Sequence, residues 1–173
     1  HESTRRQRQM CIRDSPSLHD EIRFVEHSSH EVQQSTSPAE VLAMLLEGND
    51  RFRAGEPLKR SMERQRAATA SGQHPLAVIL SCIDSRSPAE AIFDLGLGDV
   101  LSVRVAGNIT TEDVIGSIEF AAIVAGVKLV AVVGHTRCGA IESAVTNYCC
   151  PDQSLFPECV HAKGILREVA KVV

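Results

Sequence analysis

The chain has 173 residues, 43% of them hydrophobic, which suits one domain with its own core, built mainly from aliphatic side chains because there are five Phe, one Tyr and no Trp. A formal net charge of -4 leaves no electrostatic footprint for nucleic acid, and charges or glycines interrupt each apolar run before it reaches the length of a membrane span. Six cysteines without close, repeated spacing do not make a small disulfide scaffold; they fit a reduced, cytoplasmic setting with some thiols on a metal.

Residues 1–36 are polar, aperiodic and rich in Ser, His, Gln and Glu, and they read as loop or disorder. Within them QMCIRDS (Gln9 to Ser15) back-translates as CAG ATG TGT ATA AGA GAC AGN, which resembles the transposon-end adapter used to prepare sequencing libraries. About the first fifteen residues are therefore expected to be a non-native leader, which removes Cys11 and the cluster Arg5, Arg6, Arg8 from functional argument. Order begins at SPAE. Ser37 can cap a helix, Pro38 suits its first position, and Glu40 completes a capping box. Val41, Leu42, Leu45 and Leu46 then carry helical spacing up to a stop at Gly55. A second helix is expected from Leu58 to Ser71, closed by Gly72.

PLAVILSC, ending at Cys82, is a short aliphatic run with β-branched residues and reads as a buried, parallel-type strand. SPAE returns at Ser87 to Glu90 and starts a short helix. Further on come a strand over Asp99 to Val105, a helix from Thr111 to Ala125, a strand in KLVAVVG and a helix in CGAIESAVTNY. This alternation predicts an α/β domain with a parallel-type central sheet flanked by helices. DLGLGD reads as a turn. Leu101 stands where the third glycine of a dinucleotide fingerprint belongs, and a strand follows instead of a helix.

Two strand ends carry chemistry. Cys82, Asp84 and Arg86 alternate just past the first strand, so in extended chain they address one side. His135 and Cys138 follow the third strand, with Cys138 at the start of a helix, where the dipole favours a thiolate. In open parallel sheets such groups gather beyond the carboxyl ends of the strands. Singly, each residue has an ordinary reading: a core cysteine, a hydrogen-bonded histidine, a turn with its ion pair. Jointly they make a zinc shell of Cys82, His135 and Cys138, with Asp84 either filling the fourth position or standing beside it. Arg86 can hold that carboxylate in a bidentate pair and compete with the metal for it.

The motifs CIDSR, PAEAIFDLGLGD, RVAGN, GSIEFAA and GHTRCGA, in this order, resemble the β-class carbonic anhydrases, over about Ser37 to Tyr148. EVLAMLLEGNDRF is similar to that family's N-terminal helical arm. The resemblance implies reversible hydration of carbon dioxide to bicarbonate and a proton on one Zn2+ per chain. It implies that Cys82, His135 and Cys138 hold the metal, and that Asp84 and Arg86 form a catalytic dyad. By the same carry-over Ala106, Gly107 and Asn108 border the pocket, and Gly139 supplies backbone near the metal. The arm implies a homodimer or higher homo-oligomer, with neither nucleic acid nor membrane as partner.

Residues 37–173 are expected to form this domain, shortened at its C-terminus relative to the family pattern, which continues well past the HxxCG helix. The family's Trp-dependent regulatory bicarbonate pocket is excluded in that form. Cys149, Cys150, Cys159 and His161 read as loop residues, and His19, His27, His30 and His74 as tail or loop histidines. Two other functions use the same residues. One is hydrolysis of carbonyl sulfide or carbon disulfide; the other is a non-catalytic, zinc-stabilised assembly module closed by Asp84.

Overall fold

The structure, a computed structural model, describes residues 28–150 and 158–171. Helices α1 (His30–Ser35), α2 (Pro38–Ala54) and α3 (Met62–Ala68) precede strand β1 (Ala77–Ser81). Then follow α4 (Ala89–Ile92), β2 (Val100–Arg104), a 3-10 turn (Ala106–Asn108), α5 (Glu112–Ile123) and β3 (Leu129–Val133). Helix α6 (Gly139–Cys149), a second 3-10 turn (Val160–Ala162) and α7 (Lys163–Ala170) complete the described chain. The strands form one parallel sheet in the order β2-β1-β3, which is the expected α/β class. Among the described residues no helix is long and apolar enough to cross a membrane.

Register explains where the functional residues go. Ser81 at the end of β1 pairs with Arg104 on one side and Val133 on the other, so all three strands stop at one level. The residues that follow, from 82, 105 and 134 onward, leave the sheet at the same edge. All five residues of central β1 are buried, as its unbroken aliphatic run requires. Strand β3 is different: Leu129, Ala131 and Val133 pack on the core, whereas Val130 and Val132 are exposed. One core cluster joins Val41 and Leu45 of α2 to Ala77, Ile79, Ala89 and Val100. A smaller one joins Ile109, Ala144 and Val169, so that α6 and α7 pack over the 3-10 turn.

The capping box of α2 forms as expected: Glu40 N donates to Ser37 Oγ at 3.3 Å, and Ser37 N donates to the Glu40 carboxylate at 2.8 Å. Gly55 ends the helix at φ 73°, a left-handed conformation that suits glycine. Within α2, a Cβ on Gly48 would stand 1.8 Å from the Phe93 carbonyl oxygen, so only glycine lets the helix lie on that backbone.

Two expectations need correction. The polar stretch up to residue 36 is not all loop: His30–Ser35 is helical, capped by Ser29. It docks through a polar group, because buried Gln33 donates to the carbonyls of Pro75 at 2.7 Å and Ala125 at 2.9 Å. His30 opens this helix and is exposed, its ring edge to face with His74 at 5.2 Å, and His74 is a loop residue as read; the expected leader, Cys11, His19 and His27 lie outside the described residues. The second helix is shorter than Leu58 to Ser71. Asp94 diverts its first residues, accepting from Leu58 N at 3.1 Å and from Arg60, and Ser61 becomes the cap. The second SPAE starts a short helix, as read, but without the capping box of the first. Pro88 is the cap, and Glu90 accepts from Ser102 Oγ on the neighbouring strand instead. DLGLGD is a turn, as read, with Asp94 at φ 46° and Gly98 at φ 89°.

Candidate metal centre

Cys82 leaves β1 in a buried position, and Cys138 is the buried residue capping α6. Fifty-six residues apart, their sulfurs stand 3.8 Å from each other. That is far too long for a disulfide at ~2.05 Å. Two sulfurs bound at ~2.3 Å to one tetrahedral ion stand about 3.8 Å apart, so the spacing fits a shared zinc. His135 completes the group: its ring nitrogen and the two sulfurs all lie within 4.8 Å of one another.

The imidazole is oriented for ligation. Nδ1 lies 3.0 Å from the Thr136 carbonyl oxygen, which assigns the proton to Nδ1 and the lone pair to Nε2. Nε2 is buried without a hydrogen-bond partner of regular geometry, an orphan that a metal ion satisfies. Burial pushes the Cys82 thiol up, but the His135 ring facing it, the backbone N–H groups of Asp84 and Gly107, and Cys138 together bring it down to about 7. The Cys82 sulfur in turn raises the imidazole above its ordinary value. Two soft sulfurs with one imidazole are a donor set suited to zinc.

Asp84 stands beside this group, with Oδ2 3.9 Å from His135 Nδ1. Arg86 Nε donates to Oδ1 at 3.0 Å and Nη2 to Oδ2 at 2.7 Å, and Arg86 N also reaches Oδ1 at 2.9 Å. The side-chain and backbone donors of Arg86 hold the Asp84 carboxyl well below the usual carboxylate range. Arg86 Nη2 also reaches the Arg137 carbonyl at 3.3 Å, linking the two loops; Arg137 itself sits at φ 56°.

A pocket of about 320 Å³ opens on the centre, lined by Cys82, Asp84, Ala106, Cys138 and Gly139, with Ile165 and Leu166 of α7 as an apolar wall. Of the residues expected to border it, Ala106 and Gly139 do so, whereas Gly107 and Asn108 are not part of its lining. Gly107, at φ 70°, is covered by α6 and α7: a Cβ there would meet Ala140 at 3.4 Å and Val169 at 3.4 Å. Its contribution is the N–H turned toward Cys82. Asn108 keeps a buried side-chain oxygen without a partner.

Sequence reasoning missed Arg104, although it opens the quoted RVAGN. Its Nε donates to the Cys82 carbonyl at 2.9 Å and its Nη2 to the Asp84 carbonyl at 2.6 Å. It also missed the α7 wall, because the apolar spacing of ILREV says that a face is buried but not against what.

A family model described as carbonic anhydrase matches residues 77–173, more than half of the chain. The chain belongs to the carbonic anhydrase family. This bears out the β-class resemblance carried by CIDSR and GHTRCGA. Carbonic anhydrase 2 of Mycobacterium tuberculosis is 48% identical over 112 residues, which are 64% of this chain and 54% of that protein. Carbonic anhydrase of Mycolicibacterium smegmatis is 42% identical over 113 residues, 65% of this chain and 55% of that protein. The chain thus spans about half the length of the curated carbonic anhydrases it matches. Among solved structures, the β-carbonic anhydrase CafA of Aspergillus fumigatus aligns with a TM-score of 0.47 and 26% identity, over 76% of this chain and 70% of that one.

Proposed function

We propose that this chain carries the zinc centre of a carbonic anhydrase that interconverts carbon dioxide with bicarbonate and a proton. The observation that supports this best is the meeting of Cys82, His135 and Cys138 beside a carboxylate already engaged on both oxygens by Arg86. Cys82, His135 and Cys138 would hold the ion. Zinc bound there supplies a Lewis acid that lowers the pKa of a water toward about 7 and so makes a nucleophile at neutral pH.

The chain's own residues do the rest. Asp84, ionised and fixed by Arg86, can only accept a hydrogen bond, so it orients the nucleophile by its proton and leaves a lone pair for carbon. Ile165 and Leu166 present an apolar wall that suits an uncharged substrate and limits bulk water. The Asp84–Arg86 pair also speaks against a closed, purely structural site, since a carboxylate held by a guanidinium is kept from serving as a fourth ligand. Exposed free thiols at Cys149, Cys150 and Cys159 fit the reducing, cytoplasmic setting we propose.

The test is stopped-flow hydration of carbon dioxide by the purified chain before and after chelation, then after zinc is returned. Activity should vanish with the metal and come back with it. Undiminished hydration by the metal-free chain would overturn the proposal. Turnover of carbonyl sulfide alone, with none of carbon dioxide, would move the assignment to the sulfur analogue.

A further inference from the structure

We propose that Arg104 is a positioning residue that sets the relation of Cys82 to Asp84. The inference rests on the zinc reading above but concerns a residue that touches neither metal nor substrate. The β1–β2 ladder ends where Val105 N donates to the Ser81 carbonyl at 3.1 Å. Beyond it the chain of β2 turns away into the 3-10 turn, and the ladder no longer holds Cys82 to Asp84. Cys82 is buried, but the next residue, Ile83, is 59% exposed, so packing does not carry the chain on to Asp84. Arg104 takes over from the ladder. One rigid guanidinium reaches both carbonyls, Nε to Cys82 at 2.9 Å and Nη2 to Asp84 at 2.6 Å.

Because the donors share one plane, the two carbonyls are fixed relative to each other, and with them the side chains of a metal ligand and the nucleophile's acceptor. Among the described residues no carboxylate lies within salt-bridge distance of this guanidinium. Its donors are directed to backbone, not to an ion pair. Asp84 thereby has its side chain held by Arg86, while its carbonyl accepts from Arg104 and, at 3.2 Å, from Ser87 N; of these only Arg104 ties it to Cys82.

Arg104→Lys keeps the charge but replaces a two-pronged donor by a point, so charge and geometry separate. The full chain, Arg104→Lys and Arg104→Gln are titrated with Co2+ in competition with a chelator, and the visible bands of the bound ion are recorded. Both variants should bind Co2+ about 10-fold or more weakly, the usual scale for losing a partner that orients metal ligands. The bands should shift, and kcat for carbon dioxide should fall about 10-fold with KM nearly unchanged. Lysine should not rescue. An Arg104→Lys chain with wild-type Co2+ affinity, bands and kcat overturns the proposal while leaving the zinc reading intact. A wild-type chain that takes up no Co2+ or Zn2+ overturns both. Should neither variant show cooperative melting, the residue is structural and the proposal is wrong.

Discussion

Arg86 is 64% exposed, and a surface ion pair contributes little to stability. Its value is in where it keeps Asp84. Arg86→Ala should therefore leave the melting temperature nearly unchanged and zinc content near one per chain, since the three proposed ligands remain. Hydration should fall by about 100-fold or more, because a freed carboxylate can turn into the open metal position and no longer orients the nucleophile. Elemental analysis and stopped-flow kinetics check both halves, and near-wild-type turnover would contradict the dyad. The depressed pKa of Asp84 has a clear sign. An acid whose folded pKa lies below its ordinary value stays ionised throughout the neutral and mildly acidic range, so acid loss of activity there belongs to other groups. At this scale Cys82, Asp84, Arg86, His135 and Cys138 could be singled out in the sequence, because each is a chemistry-bearing type at a strand end. Arg104 also ends a strand, but it follows no metal-ligand or acid pattern, and nothing in RVAGN tells which carbonyls its fork will meet.

Among the elements, one carboxylate ties α2 and the segment leading into α3 to the turn after α4. Asp94 has a side chain only 5% exposed, and it accepts from Arg51 of α2, from Arg60 and from Leu58 N. Burial pushes its carboxyl up, but Arg51, the Leu58 N–H and Arg60 outweigh this and lower it. A lowered pKa means stability that is present above the unfolded value of ~3.9 and lost as pH falls through the folded one. Asp94→Asn tolerates the positive φ yet leaves two arginines without their charge partner, and should cost roughly 3 kcal/mol at neutral pH. The gap in melting temperature between wild type and variant should close as pH falls below about 4. A gap that is constant from neutral pH to acid would contradict the ion-pair account. Helix α2 was legible because its caps are local chemistry, carried by Ser37, Glu40 and Gly55. Local pattern overstates the length of α3 and conceals α1, since Asp94 and Gln33 act over long sequence separations.

For the molecule as a whole, the alternation of strand and helix pointed to a parallel sheet, but the order β2-β1-β3 depends on crossovers that no local pattern encodes. Exposure shows more than the pattern did. Leu46 of α2 is 57% exposed, Phe120 and Ile123 of α5 are 58% and 81% exposed, and Val132 on β3 is 66% exposed. Exposed apolar side chains on three elements fit the homodimer or higher homo-oligomer that the helical arm implies and that we propose. Light scattering at micromolar concentration should give at least twice the 18.7 kDa of one chain, and a fully active monomer would contradict it. The central claim is that one zinc sits on two cysteines and one histidine of this chain. Zinc K-edge X-ray absorption on the zinc-loaded chain tests it most directly. The account predicts two sulfur ligands at about 2.3 Å, with nitrogen and oxygen in the remaining positions. A shell of four sulfurs, drawing in Cys149, Cys150 or Cys159, or a shell without sulfur, would contradict it.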